Sequence, residues 1–330
     1  MIYSDAIEAA PLIAQRIAEA RRILVLSHIN PDGDAIGSLL GVWHALRSMD
    51  KEAVPLASSE PPSYTLWLPG IEHLHVYQLG TQLPEADLII MVDVASLQRV
   101  GPMFAEHADL LAKLPLIVID HHVTNDGPGM LNLITPTAAS TCELLYHLFR
   151  AMNITIHPAM ATCLLLGLTT DTQSFQTSST QANSLHIAAD LLELGAEHGR
   201  VVEEVYYSLP ASSAELIGAG LSAMQMDDSI AWTTVTQAMI RATGAEDEAT
   251  DEVVRMMQRI AGVRALVLFK ERSDGTTKIS LRSKPPINVA LLAQRWGGGG
   301  HAQASGATLL MPPSAAVIEV LPPLRDLVKG

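Results

Sequence analysis

Four short stretches of this chain place ionisable side chains at the ends of apolar runs, two of them with more than a turn or a helix end requires. Ser27-His28-Ile29-Asn30-Pro31-Asp32-Gly33-Asp34 lies between an apolar run and a helical one. Asp93 closes the run Leu88-Ile89-Ile90-Met91-Val92, Asp120-His121-His122 closes Leu116-Ile117-Val118-Ile119, and Asp171 follows Gly167-Leu168-Thr169-Thr170 at the end of an apolar helical stretch. Taken singly, Asn-Pro-Asp-Gly-Asp suits a strand-to-helix turn, and Asp93 suits a helix cap. Three titratable groups at one strand end are harder to explain by packing. Together the stretches supply His28, Asp32, Asp34, Asp93, His121 and Asp171. Four carboxylates gathered in one place repel one another and resist ionisation unless cations neutralise them. Oxygen ligands favour magnesium or manganese, and imidazole moves the preference toward transition metals, so the mixed set points to manganese over magnesium.

These stretches can meet only if the fold brings them to one edge. Residues 23–27, 53–57, 87–94 and 116–120 are short apolar runs of the kind found in parallel strands covered on both faces. Helical patterns cover 35–49, 140–152, 158–170 and 181–194. The alternation predicts an α/β fold with a doubly wound, mostly parallel sheet over residues 1–195. In such sheets ligands bind beyond the carboxyl ends of the strands, where the four stretches emerge. A helical connector is expected over 196–225 and a smaller mixed α/β domain over 226–330, with strands at 230–236, 264–271, 278–283 and 305–310. Helices are expected there at 251–260 and 289–296 and from 314 onward.

Composition narrows the partners. The 330 residues hold 21 Lys plus Arg against 35 Asp plus Glu, a net charge of −14, which disfavours binding to long duplex nucleic acid through many phosphates. The charge is uneven. Residues 1–200 are net −12 and 201–252 net −9, whereas 253–330 are net +7, an acidic body followed by a basic module. Only 4% of residues are aromatic, few platforms for stacking a long single strand. Two cysteines, Cys142 and Cys163, exclude a disulfide framework and a four-thiolate zinc site, and both read as small core residues of a protein in a reducing compartment. The first 22 residues resemble a surface helix more than a signal peptide, and the longest apolar stretch, 160–168, falls short of the roughly 18 residues of a membrane span. A soluble, cytoplasmic protein without a membrane partner is expected.

The spaced set His28-x-Asn30-Pro31-Asp32-Gly33-Asp34, Asp93, Asp120-His121-His122, Asp171 and the late Gly298-Gly299-Gly300-His301 resembles the DHH/DHHA1 phosphoesterases of the nanoRNase type, the bifunctional oligoribonuclease and PAP phosphatase proteins. The resemblance spans nearly the whole chain. It implies two divalent metal ions, one held by His28, Asp32 and Asp93 and the other by Asp34, Asp93, His121 and Asp171. It also implies that His122 faces the substrate phosphate, that Asp120 supports an imidazole, and that Arg282, Ser283 and the loop of Gly299, Gly300 and His301 contact substrate. A homodimer is a further implication. Physically, an Arg fork suits phosphate oxygens, and Gly297 to Gly300 permit close backbone approach. Ser140 and Thr141 read as helix caps, although the resemblance places small hydroxyl residues near the substrate there. His44, beside Trp43, reads as a packed helical residue.

The reading that follows is a manganese-dependent phosphodiesterase and phosphomonoesterase. It would convert short oligonucleotides to nucleoside monophosphates and 3′-phosphoadenosine 5′-phosphate to AMP, with a water activated by the two ions attacking phosphorus in line. Asp93, His122 and Asp120 are the residues expected nearest the reaction. A phosphodiesterase for cyclic or linear dinucleotides would use the same metal core. A catalytically silent nucleotide-binding regulator, the reading from a different class, would normally lack a ligand, and none is missing here. A family II pyrophosphatase would lack the Gly-Gly-Gly-His pattern, and a processive exonuclease would need a longer chain and a more basic channel.

Overall fold

The computed structural model describes residues 1–329, except for the side chain of His301. The chain divides into two compact units, Met1–Ser208 and Leu209–Gly330.

The described residues of the first unit form a seven-stranded sheet: β1 (Ile2–Tyr3), β2 (Arg22–Leu26), β3 (Glu52–Ala57), β4 (His75–Val76), β5 (Leu88–Val92), β6 (Leu116–Asp120) and β7 (Leu131–Ile134). Their order is β1-β7-β6-β5-β2-β3-β4, and every neighbouring pair is parallel. The helices are α1 (Ala6–Glu19), α2 (Gly33–Ser48), α3 (Pro102–Leu111), α4 (Thr141–Ala151), α5 (Pro158–Asp171), α6 (Ala182–Glu193) and α7 (His198–Val202). Side-chain alternation splits each central strand between two cores. Ile23, Val25, Ile90 and Ile117 pack with Ile13, Leu39, Leu145 and Leu165 from α1, α2, α4 and α5. Leu24, Leu26, Ile89 and Met91 pack with Met103 of α3. The chain leaves β2 toward β3 on one side, and β5 lies on the other, so the crevice between the ends of β2 and β5 is the switch point of the sheet.

The sheet is thus the doubly wound parallel one expected, with β1, β4, β7 and α3 as elements the sequence pattern did not reveal. β1 and β4 are two residues long. β7 is interrupted by Asn132, which is 1% exposed and donates to the carbonyls of Met1 at 3.0 Å and Gly129 at 2.7 Å; a polar residue in a four-residue strand hides its apolar run.

In the second unit a six-stranded sheet has the order β12-β13-β11-β10-β9-β8, comprising β8 (Gln225–Asp227), β9 (Ile230–Val235), β10 (Ala265–Glu271), β11 (Thr277–Ser283), β12 (Gly299–His301) and β13 (Ala304–Leu309). Among the described residues of this unit only β9 and β10 pair in parallel. Helices α8 (Ala211–Ser222), α9 (Gln237–Thr243) and α10 (Ala249–Gln258) belong to a core with Leu266 and Leu268, while α11 (Ala290–Ala293) and α12 (Pro313–Lys329) cover Val267, Phe269 and Leu281 on the other face. The glycine run expected as a loop ends as an edge strand. A Cβ on Gly298 would lie 2.1 Å from the Gly306 carbonyl oxygen, and Gly300 has φ 135, so glycine is what lets β12 approach β13 this closely. Among the described residues no helix is long and apolar enough to cross a membrane.

Candidate metal centre

The first segment of the site is the turn from β2 into α2. Asp32 caps α2, accepting from the N–H groups of Asp34 and Ala35 at 3.1 Å each, so its own carboxylate takes up the amides that could have bound an external anion. Past the cap, Gly33, Gly37 and Gly41 recur every four residues along the face of α2 that meets α5. A Cβ on Gly33 would lie 2.4 Å from Thr170 Oγ1, and one on Gly37 2.5 Å from the Cys163 carbonyl oxygen. Gly167 on α5 is equally tight, its notional Cβ 2.7 Å from Asp34 Oδ1. The two helices therefore cross at backbone distance. That crossing sets Asp34, in the first turn of α2, beside the last turn of α5, where Asp171 stands.

The ends of β5 and β6 supply the centre of the site. Asp93 has φ 56, a left-handed conformation costing an L-residue about 1–2 kcal/mol, and it is held there by its N–H donating to the Ile119 carbonyl at 3.1 Å. Asp120 is fully buried and acts as an acceptor hub. It takes the His121 backbone N–H at 2.9 Å, the His122 Nδ1–H at 2.8 Å and the Asn125 Nδ2–H at 2.7 Å. Asn125 is pinned in turn, donating to the Val94 carbonyl and accepting from the Gly127 N–H, both at 2.9 Å. The imidazole that Asp120 orients is therefore that of His122, held through Nδ1 with Nε2 on the opposite side of the ring.

A third element closes over the carboxylates. α4 starts at Thr141, with Ser140 Oγ accepting from the Glu143 N–H at 3.0 Å as its cap. Thr141 is not a cap. Its N–H donates to Asp34 Oδ2 at 2.7 Å, its hydroxyl to Asp93 Oδ1 at 3.0 Å, and the Cys142 N–H donates to Asp34 Oδ1 at 3.0 Å.

The six expected ligands converge. His28 Nε2 lies 3.5 Å from Asp93 Oδ2, and His121 Nε2 lies 3.6 Å from Asp93 Oδ1 and 3.5 Å from Asp171 Oδ2. The Nδ1 atoms of His28 and His121 face the carbonyls of Ile29 at 2.9 Å and Ala138 at 3.3 Å; since carbonyls only accept, both Nδ1 carry the proton and both Nε2 face the acids. Ligand atoms lie within 4.8 Å of one another in three overlapping groups: His28, Asp32 and Asp93; Asp93, His121 and His122; Asp34, His121 and Asp171. Among the described residues none of these four carboxylates pairs with a Lys or Arg; the ionic partners of Asp93 are the imidazoles of His28, His121 and His122, and that of Asp171 is His121. Burial, then the charges of Asp93 and Asp171, push the Asp34 pKa well above the usual carboxylate range. Burial likewise carries Asp171 to about 7. Burial opposes ionisation of Asp93 too, but the hydrogen bond from His28 and the charge of His121 hold it near about 2. Burial disfavours the imidazolium of His121, yet the surrounding Asp34, Asp93 and Asp171 lift it to about 9. Buried, mutually repelling carboxylates with imidazole Nε2 atoms among them are a donor set that fits divalent cations.

The remaining expected site residues lie in the second unit. Arg282 and Ser283 end β11. The Arg282 guanidinium donates to the Leu281 carbonyl at 2.9 Å, and the Ser283 hydroxyl to the Ile287 carbonyl at 2.7 Å, so that hydroxyl presents lone pairs and no free proton. Gly299 and Gly300 form β12 opposite Gly306 and Ser305. The His301 side chain lies outside the described residues. As expected of core and packed helical residues, Cys142 and Cys163 are fully buried, and His44 packs on Trp43 with Nε2 2.9 Å from the Pro69 carbonyl oxygen. Asn125 and the α2–α5 glycines went unread because their roles rest on contacts with residues distant in the chain; the four-residue spacing Gly33, Gly37, Gly41 was the available signal.

Similarity to known proteins agrees with this geometry. A model of the DHH family, N-terminal domain, matches residues 22–168, and one of the DHHA1 domain matches residues 232–321. The chain is 31% identical over 287 residues to the bifunctional oligoribonuclease and PAP phosphatase NrnA of Thermus thermophilus, an alignment covering 87% of this chain and 84% of that protein. It is 28% identical over 323 residues to the cyclic-di-AMP phosphodiesterase GdpP of Geobacillus thermodenitrificans, covering 90% of this chain and 46% of that protein. The crystal structure of an exopolyphosphatase-related protein from Bacteroides fragilis matches with a TM-score of 0.91 at 28% identity, covering 98% of both chains. With its two matched regions in this order and a relative this similar along its length, the chain belongs to the DHH family with a carboxy-terminal DHHA1 domain.

Proposed function

We propose that this protein is a two-metal phosphoesterase that hydrolyses short oligonucleotides to nucleoside monophosphates and 3′-phosphoadenosine 5′-phosphate to AMP. The observation that carries the reading is the position of Asp93 between two imidazoles, its Oδ2 3.5 Å from His28 Nε2 and its Oδ1 3.6 Å from His121 Nε2. The name of the Thermus thermophilus relative supports the substrate class. In this reading His28, Asp32 and Asp93 hold one cation, and Asp34, Asp93, His121 and Asp171 the other, with manganese favoured by the mixed oxygen and nitrogen donors. The bound ions would activate a water and neutralise charge developing on the attacking and leaving oxygens of the phosphate.

The protein's own groups do the rest. His122, held through Nδ1 by Asp120 at 2.8 Å, presents Nε2 to the substrate phosphate. Arg282 supplies a charged fork to phosphate oxygens, and Gly299 and Gly300 a backbone edge without side chains; His301 completes the proposed phosphate contacts, and Ser283 would join them only by turning its hydroxyl away from the Ile287 carbonyl. The net charge of −14 repels long polyanions, which leaves substrates with few phosphates. Two free buried cysteines suit a reducing compartment such as the cytoplasm.

A second reading, hydrolysis of a cyclic or linear dinucleotide, is favoured by the alignment of 90% of this chain with the cyclic-di-AMP phosphodiesterase. One experiment separates the two. Purified protein with manganese, and in parallel magnesium, is offered short RNA oligomers, 3′-phosphoadenosine 5′-phosphate, pApA and a cyclic dinucleotide, with products resolved by chromatography. The leading reading expects mononucleotide release from the first two; cleavage confined to dinucleotides would replace it, and no turnover with any of them would refute both.

A further inference from the structure

Thr141 is fully buried and touches two of the acids from different parts of the chain. Its backbone N–H donates to Asp34 Oδ2 at 2.7 Å, and its hydroxyl to Asp93 Oδ1 at 3.0 Å. The turn that carries it is fixed from both sides. Ser140 caps it, and Glu143, 5% exposed, is anchored to α6 by Ser184 Oγ at 2.6 Å and Asn183 Nδ2 at 3.2 Å. The amides at the start of α4 therefore serve Asp34 in place of water. A carboxylate accepting two N–H bonds cannot rotate freely, and one accepting a hydroxyl has a fixed oxygen on that side. Asp93 Oδ1 is thereby directed toward His121 and Oδ2 toward His28.

We infer that Thr141 is a positioning residue that locks the shared carboxylate, Asp93, to Asp34, and so sets both cation sites in register before a cation arrives. The inference rests on the two-metal reading above. Its hydroxyl is the separable part, because Thr141→Val keeps the shape and the N–H to Asp34 and removes only the bond to Asp93.

The test is manganese binding by titration calorimetry, together with thermal melting of the metal-free protein, for wild type, Thr141→Val and Thr141→Ser. Loss of an outer-sphere hydrogen bond to a ligand typically weakens metal binding about 10- to 100-fold. Thr141→Val is expected to lose affinity in that range, and Thr141→Ser, which keeps the hydroxyl, to stay within about threefold of wild type on the same scale. Should Thr141→Val fail to fold, Thr141→Ala removes the hydroxyl without filling its space and carries the same expectation. Wild-type affinity in the hydroxyl-free variant, with only a lower metal-free melting temperature, would overturn the inference and leave Thr141 a packing residue. Wild-type protein that takes up no divalent cation would instead remove the two-metal reading, and the inference with it.

Discussion

The two units bring chemistry-bearing groups together by opposite means. In the first, Asp32, Asp34, Asp93 and Asp171 come from three separate segments and are gathered at one sheet edge, Asp34 and Asp93 at 1% and 2% exposure. In the second, Arg282 and Ser283 end one strand and Gly299 and Gly300 lie two strands away in the antiparallel part of the same mixed sheet, each placed by strand register. Burying anions is costly, so the first unit surrounds them with the amides of α2 and α4, the Thr141 hydroxyl, and the imidazoles of His28 and His121, whose Nδ1–H bonds to backbone carbonyls turn Nε2 toward the acids. A cation at a strand end needs no such cage. The lesson is that a donor set of this kind depends on the whole unit being folded, whereas the proposed phosphate contacts of the second unit depend on local strand pairing.

The largest expected effect tests the first half of that contrast. Asp93→Ala should abolish hydrolysis and manganese uptake together, checked by product assay and calorimetry; uptake of two ions by this variant would break the assignment of a shared ligand. Arg282→Ala should leave metal uptake unchanged while lowering kcat/KM about 10- to 100-fold, the worth of a charged hydrogen bond. A change in its metal affinity would erase the distinction between the units. Asp120→Asn is expected to cost about tenfold in kcat at saturating manganese, because it disturbs the His122 side chain while an amide oxygen can still accept the His121 backbone N–H. Gly37→Ala should reduce stability by about 1–3 kcal/mol in denaturant melts, because its Cβ would meet the Cys163 carbonyl. The smallest effect sharpens the comparison most: chelation should loosen hydrogen-exchange protection in the first unit and leave the second unchanged.

Much of the fold could be read from hydrophobic pattern. Leu88 to Val92 and Leu116 to Asp120 are uninterrupted runs, and the helices at 141–151 and 158–171 fall within a residue or two of their expected limits. β7 escaped because buried Asn132 breaks its pattern, and β12 because glycine carries no strand signal. In the candidate site, residue type marked the groups able to ligate. It could not assign Asp120 to His122, nor find Asn125, nor separate the roles of Ser140 and Thr141, since each depends on which atoms lie within about 3 Å across the fold.

By itself, the sequence determined the inventory: which acids and imidazoles exist, that they stand at strand and helix ends, and that a basic module follows an acidic one. Those properties are local, written in composition and in periods of two and 3.6 residues. Only the tertiary structure decided that α2 and α5 cross closely enough at Gly37 and Gly167 to set Asp34 near Asp171, that Asp93 is held in a left-handed turn, and that the first turn of α4 donates to two carboxylates at once. The reason is physical. Repulsion among buried charges and the hydrogen bonds that offset it act through space at a few ångströms, a distance that order along the chain does not encode.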